Sequence, residues 1–160
     1  AASNAGDGIV TNYNCTVTNC SAYSNGSNGI AAGVGSTVAD CTVQFNTLDG
    51  IRCNFACVIR GNNCMENGNG GDGAGIHATD IDNRIEGNNC IGAIRGIDVD
   101  FFGNIIIKNT CSGNGTDWVI GANNVVGPIL DRRNPASAAI NGFSAPSSLG
   151  STEANANYSY

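Results

Sequence analysis

Apolar residues along this chain fall in short segments of three to five, rich in Ile and Val and bounded by Gly, Asn and Asp, as in Gly-Ile-Asp-Val-Asp over 96–100. Segments of that length and composition predict short strands between tight turns. The segments also restart on a schedule. Gly-Ile stands at Gly8-Ile9, Gly29-Ile30, Gly50-Ile51, Gly75-Ile76 and Gly96-Ile97, separations of 21, 21, 25 and 21 residues, and a sixth unit opens less cleanly at Trp118-Val119. A period of this size is the mark of a solenoid. Leucine-rich repeats of similar length need Leu at fixed positions, and this chain has only Leu48, Leu130 and Leu149. The expectation is an all-β parallel β-helix of five to six coils over residues 1–128, each coil about 4.8 Å above the last, followed by an extended tail over 129–160.

Strand alternation assigns the faces. Ile97 and Val99 point one way and Asp98 and Asp100 the other. Ile9, Ile30, Ile51, Ile76 and Ile97 should stack as one interior column, with Thr11, Ala32, Cys53, Ala78 and Val99 beside it. A second column is expected at Val17, Val38, Ile59, Ile85 and Ile106. Just after it, Asn19, Asp40, Asn62, Asn88 and Asn109 read as an inward amide ladder at a turn, each side chain bonding the next coil. Gly and Asn suit the turns because they accept positive φ. The four extra residues of the third unit fall in the Gly-rich stretch Asn67–Ala74.

Charge narrows the partners. With 12% charged residues and a net charge of −6, the chain lacks the clustered Lys and Arg that nucleic acid or an anionic membrane surface requires. No apolar run approaches the length of a membrane span. Eight cysteines without a CxxC pair, and one His, make a poor zinc motif. An oxidising, extracellular setting with structural disulfides is the better expectation. Cys20 and Cys41 share a register, as do Cys64, Cys90 and Cys111. Stacked Cα atoms at about 5 Å lie within disulfide range, so Cys20–Cys41 and either Cys64–Cys90 or Cys90–Cys111 are the expected pairs.

The stretch Arg84-Ile-Glu-Gly-Asn-Asn-Cys90, with Arg95-Gly-Ile-Asp-Val-Asp100, Gly103-Asn-Ile-Ile-Ile-Lys-Asn109 and Gly127-Pro-Ile129, resembles the bacterial right-handed parallel β-helix repeat proteins, a large secreted group sharing its fold with pectate lyases. The likeness covers roughly residues 8–130, and Asn155-Ala-Asn-Tyr-Ser-Tyr160 is similar to a terminus common in that group. It implies the right-handed coil and a place outside the cell or at its surface. It implies no particular reaction, because most such proteins have no established activity.

Two functional readings follow. The position after each Gly-Ile runs Arg52, His77, Asp98 on successive coils, with Asn54, Thr79 and Asp100 in the row beside it. A polysaccharide-binding or lyase-like reading has Arg52 hold a uronate carboxylate, Asp98 and Asp100 hold Ca²⁺ or serve as acid and base, and His77 titrate near neutrality. Cross-strand pairing of polar residues on an exposed face explains the same rows more simply. Asp72 and the Asp80, Asp82 pair read as turn chemistry. The other reading is structural and non-catalytic, needing no cofactor. The bare first coil and the Ser-, Ala-, Asn- and Gly-rich tail suggest self-association through the solenoid ends, head to tail, as a filament or surface assembly, and the sequence favours it over an enzyme.

Overall fold

The structure, a computed structural model, describes residues 1–133 and 154–160. It is an all-β parallel solenoid of about six turns. The first coil holds β1 (Ile9–Val10), β2 (Thr16–Thr18) and β3 (Ser21–Tyr23), and the second β4 (Ile30–Ala32), β5 (Thr37–Ala39) and β6 (Thr42–Gln44). The third holds β7 (Ile51–Cys53), β8 (Val58–Arg60) and β9 (Asn63–Met65), and the fourth β10 (Ala74–Ala78), β11 (Arg84–Glu86) and β12 (Asn89–Ile91). The fifth holds β13 (Arg95–Val99), β14 (Ile105–Ile107) and β15 (Thr110–Ser112). The last holds β16 (Thr116–Ile120), β17 (Val125–Val126) and β18 (Ile129–Asp131), and β19 (Asn157–Ser159) follows. Strands of like position form three sheets. The first runs β1-β4-β7-β10-β13-β16, the second β17-β14-β11-β8-β5-β2, and the third β18-β19-β15-β12-β9-β6-β3.

The interior columns stand as the alternation predicts. Ile9, Ile30, Ile51, Ile76 and Ile97 pair in one register and continue to Trp118. Val17, Val38, Ile59, Ile85, Ile106 and Val126 form the second column. A third is Ala22, Val43, Cys64, Cys90 and Cys111. The isoleucines from Ile30 through Ile106 in these columns are fully buried, each contributing roughly 1.5–3 kcal/mol of apolar burial. No aromatic side chain is among the fully buried ones of the described residues. The narrow cross-section takes Ile, Val, Ala and Cys.

The turns need correction by one residue. At the corner between the second and third sheets, Asn19, Asp40, Gly61, Gly87 and Lys108 carry the positive φ, from 53° to 66°. The inward ladder is the next position. Asn62 donates its backbone N–H and its side-chain amide to Asn88 Oδ1, Asn88 does the same to Asn109, and Asn109 to Asn157. Asn19 and Asp40 are therefore exposed corner residues, and Cys20 and Cys41 occupy the ladder positions below Asn62. A left-handed residue followed by an inward Asn recurs at the other corners, in Ser24-Asn25, Phe45-Asn46 and Glu66-Asn67, and in Asp82-Asn83 and Gly103-Asn104. Asn25, Asn46 and Asn67 each accept two donors from the coil below, and Asn83 and Asn104 one each, from the Cys57 and Asn83 backbone N–H groups, so the amides form bonded columns inside the core.

The glycine of Gly-Ile is not a turn residue of that kind. A Cβ on Gly50 would lie 2.5 Å from the Gly75 carbonyl oxygen and 2.7 Å from Asn67 Nδ2. The restart is a place where the ladder amide and the next coil's backbone both press on the chain, and only hydrogen fits.

The expected disulfides are absent: all eight cysteines are free thiols. Cys64, Cys90 and Cys111 do stack in register. Parallel in-register strands repeat their Cα–Cβ vectors side by side at about 4.8 Å, whereas a disulfide wants Cβ atoms about 3.8 Å apart and turned toward each other.

The end of the tail is tied to its own solenoid. β19 enters the third sheet between β15 and β18, pairing Cys111 with Ser159 and Leu130 with Tyr158. Ser159 Oγ accepts the Trp118 indole N–H at 2.8 Å. Residues 134–153, the rest of the expected extension, lie outside the described residues. Among the described residues no helix is long and apolar enough to cross a membrane.

Candidate binding site on the first sheet

The outward row of the first sheet forms as the alternation requires: Arg52 pairs with His77 and His77 with Asp98 on consecutive coils. The second row also forms, since Thr79 Oγ1 donates to Asn54 Oδ1 at 3.1 Å, and Asp100 lies on the coil above. His77 is the centre. Its Nδ1 is 2.9 Å from Asp49 Oδ2, and its Nε2 is 3.1 Å from Asp100 Oδ2 and 4.0 Å from Asp98 Oδ2. The ring is thus gripped by carboxylates from the coil below and the coil above.

Asp49 and Arg95 belong to the site although their letters did not single them out. Asp49 sits just before Gly50, where the preceding coils have Asp7 and Asn28. Its N–H donates to Asn28 Oδ1, its Oδ1 accepts the Ala74 N–H at 2.8 Å, and its Oδ2 holds His77. The recurrence of Asp or Asn before Gly-Ile was the available signal. Arg95, one residue before Gly96, places Nε 2.6 Å from Asp98 Oδ2 and an Nη 2.7 Å from Asp72 Oδ1. The Nε contact lacks the alignment of a hydrogen bond, so it is an ion pair at close range. Asp72 is therefore an ion-pair partner as well as a loop residue. Asp80 stays a turn residue, its Oδ1 taking the Ile81 N–H, and Asp82 has a positive φ.

These charges shift one another. Burial of the His77 ring opposes its protonation, but the Asp49 bond, the charges of Asp49 and Asp98 and the Asp100 bond outweigh it and raise its pKa above the ordinary 6.5. Asp98 is 6% exposed. Burial pushes its carboxyl above the usual range against the pull of His77 and Arg95, with Asp100 and Asp49 adding to the push. A cleft of about 250 Å³ opens beside His77, lined by Leu48, Asp49, Arg52, Asp72, His77 and Arg95 among others. Arg52 is exposed and makes no ion pair with a described residue. The turn leaving β13 carries Phe101 and Phe102, both half exposed.

Comparison with known proteins finds no family model, no curated protein and no solved structure that matches this chain. The site has to be read from its own chemistry.

Proposed function

We propose that this β-solenoid is a secreted or cell-surface protein that binds a polysaccharide on its first sheet, at the cleft beside His77. The cleft carries the reading: guanidinium, imidazole and carboxylate groups fixed at coil spacing on a rigid sheet, with Leu48 in its lining and Phe101 and Phe102 exposed outside it, on the turn after Asp100. Planar polar groups bond paired hydroxyls, and an apolar ring face packs on a sugar ring. The cleft is smaller than the ~300–1,000 Å³ of ordinary small-molecule pockets, which suits one residue of a chain that continues over the surface. Asp49 and Asp72 line it, and Asp98 and Asp100 stand against His77 beside it, so a hydroxyl-rich neutral sugar fits better than a polyuronate. Binding fits better than cleavage, because Asp49 and Asp98 are already engaged by Ala74, His77 and Arg95. The eight free thiols lend the extracellular setting no support; it rests on the resemblance of the repeat.

Titration of neutral and acidic polysaccharides by calorimetry tests the proposal. Binding that weakens in Arg52→Ala and Phe102→Ala supports it. Absence of binding across both classes, or affinity indifferent to those substitutions, removes it.

One observation favours the structural reading as a second possibility. The outer strands β1 and β2 at one end and β16 and β17 at the other keep the register of the coils inside them, so another copy could continue the ladder there, head to tail, as a filament or surface assembly; β3 is already paired by Ala2. The tail has no such part to offer through β19, which is engaged in its own sheet. Electron microscopy decides: fibres support assembly, and discrete monomers at high concentration exclude it.

A further inference from the structure

We propose that His77, Asp98 and Asp100 form a binding site for a divalent first-row transition metal of the Zn²⁺ class, with Asp49 as the outer carboxylate that orients the imidazole. The inference does not depend on polysaccharide binding. The ligand atoms of the three residues, the imidazole nitrogen and one oxygen from each carboxylate, all lie within 4.8 Å of one another. Ligands around a tetrahedral Zn²⁺ at about 2.0–2.1 Å stand about 3.3 Å apart, so rotation of the two carboxylates closes the set. Strand alternation makes it possible: Asp98 and Asp100 are two apart and share the outer face, and the parallel register lays them over His77.

The second argument is the contact at Nε2. With the Nδ1–H given to Asp49, a neutral ring turns its Nε2 lone pair toward Asp100 at 3.1 Å and Asp98 at 4.0 Å. Lone pair against carboxylate is repulsive unless a cation sits between them. A proton on Nε2 is one such cation. A metal ion replaces it, the nitrogen pair passing to the metal and the proton leaving to water. The local charge agrees. Asp49, Asp72, Asp98 and Asp100 face Arg52 and Arg95 around a neutral ring, four negative charges against two positive, and a divalent ion balances the remainder.

The donor set selects the metal. One imidazole with two carboxylates suits Zn²⁺, Co²⁺ or Mn²⁺, whereas Ca²⁺ seeks six to eight oxygens, which these residues do not supply. Asp49 to His77 is the carboxylate–histidine pairing that fixes the tautomer of a ligating ring. Arg95 works against the site, holding Asp98 at 2.6 Å, and must yield part of that contact. Asp100, 45% exposed on its side chain, leaves the remaining coordination positions to water.

His77 is the only histidine of the chain, so a ring-nitrogen NMR spectrum reports this site alone. Zn²⁺ alone is the first probe. The expected result is one equivalent bound, with Nε2 shifted to a metal-bound position and Nδ1–H retained. Co²⁺ should give weak d–d absorption without a thiolate charge-transfer band. His77→Ala and Asp100→Asn should abolish binding, and Asp49→Asn should weaken it about 10- to 100-fold while the fold, followed by circular dichroism, persists. Asp100→Asn, at an exposed position, serves if His77→Ala fails to fold. An unmoved His77 spectrum, a thiolate band in place of it, or Zn²⁺ affinity equal in wild type and Asp100→Asn overturns the assignment, as does Ca²⁺ binding tighter than Zn²⁺.

Discussion

Asn157 lies 48 residues beyond Asn109 in the chain and directly over it in the core, its Oδ1 accepting the Asn109 backbone N–H at 2.9 Å and the Asn109 amide at 3.2 Å. Asn157 in turn donates to the Ile106 and Gly127 carbonyls. The tail thus supplies the top rung of an amide column that the repeat itself builds. Asn157→Ala leaves two buried donors of Asn109 without a partner. The expected loss is about 1–3 kcal/mol or more, the cost of a buried unsatisfied polar group, read as a lower denaturation midpoint. An unchanged midpoint would mean that β19 does not close the ladder.

The same column predicts a contrast between two asparagines on neighbouring coils. Asn88→Ala orphans the buried Asn62 backbone N–H and one of its two amide hydrogens, the other staying with the Val38 carbonyl, and should cost several times more than Asn63→Ala. Asn63 is exposed and offers only an oxygen to the Asn89 amide at 3.1 Å. Urea unfolding of the two variants measures the difference; equal losses refute the ladder as a source of stability.

Gly50→Ala should be destabilising by about 1–3 kcal/mol, the range for forcing atoms into a packed site, because the added methyl meets a carbonyl and a ladder amide. Gly87→Ala is the control. Nothing lies within 4 Å of its would-be Cβ, so its smaller cost comes from the positive φ of 66° alone. Reversed ranking in thermal melts would reject the close-approach account of the Gly-Ile restart.

Thiol labelling should split the cysteines. Cys15 and Cys20 are half buried and the other six buried. Burial pushes the Cys53 thiol well up, and the bond to Cys90, with burial, does the same for Cys64, so thiolate is scarce where access is also lowest. A disulfide-exchange reagent should modify Cys15 and Cys20 first in the native chain and the rest only on unfolding. Mass spectrometry of the labelled peptides checks this, and early labelling of Cys64 or Cys90 contradicts the packing.

Glu86 accepts Lys108 Nζ at 2.8 Å and Arg84 Nε at 2.7 Å. The Lys108 bond, then the Arg84 bond, hold its carboxyl below the ordinary 4.5. A folded-state pKa lowered in this way adds stability above pH 4.5 that is lost as pH falls through the lower folded value. On a solvated face the amount stays under about 1 kcal/mol. Glu86→Gln should therefore melt slightly below wild type at neutral pH and converge with it in acid; a gap constant across that range rules the pair out.

The repeat was legible because a solenoid makes every coil solve the same packing problem. Ile30, Ile51 and Ile76 had to be large and β-branched at the same place in each coil, and the letters show it. The rows Arg52, His77, Asp98 followed from alternation alone, given the register. By composition Asn19 and Asp40 look like the first members of the amide column, but they stand one residue before it, at the left-handed corner. Only backbone conformation tells a left-handed corner residue from the inward residue after it. The cysteine columns follow from the period, and disulfides between them do not, because shared register does not turn two sulfurs toward each other.

What the sequence by itself determined is the period, two of the core's three columns and the outward rows, all consequences of side-chain size and alternation within a coil. What only tertiary structure decided lies between coils. Asp49 reaches His77 across 28 residues, Arg95 reaches Asp72, and Asn157 seats over Asn109. Those contacts depend on how the third unit's four extra residues and the chain beyond β18 are accommodated, and on the length and aim of individual side chains, which a repeating pattern of apolar and polar letters does not carry.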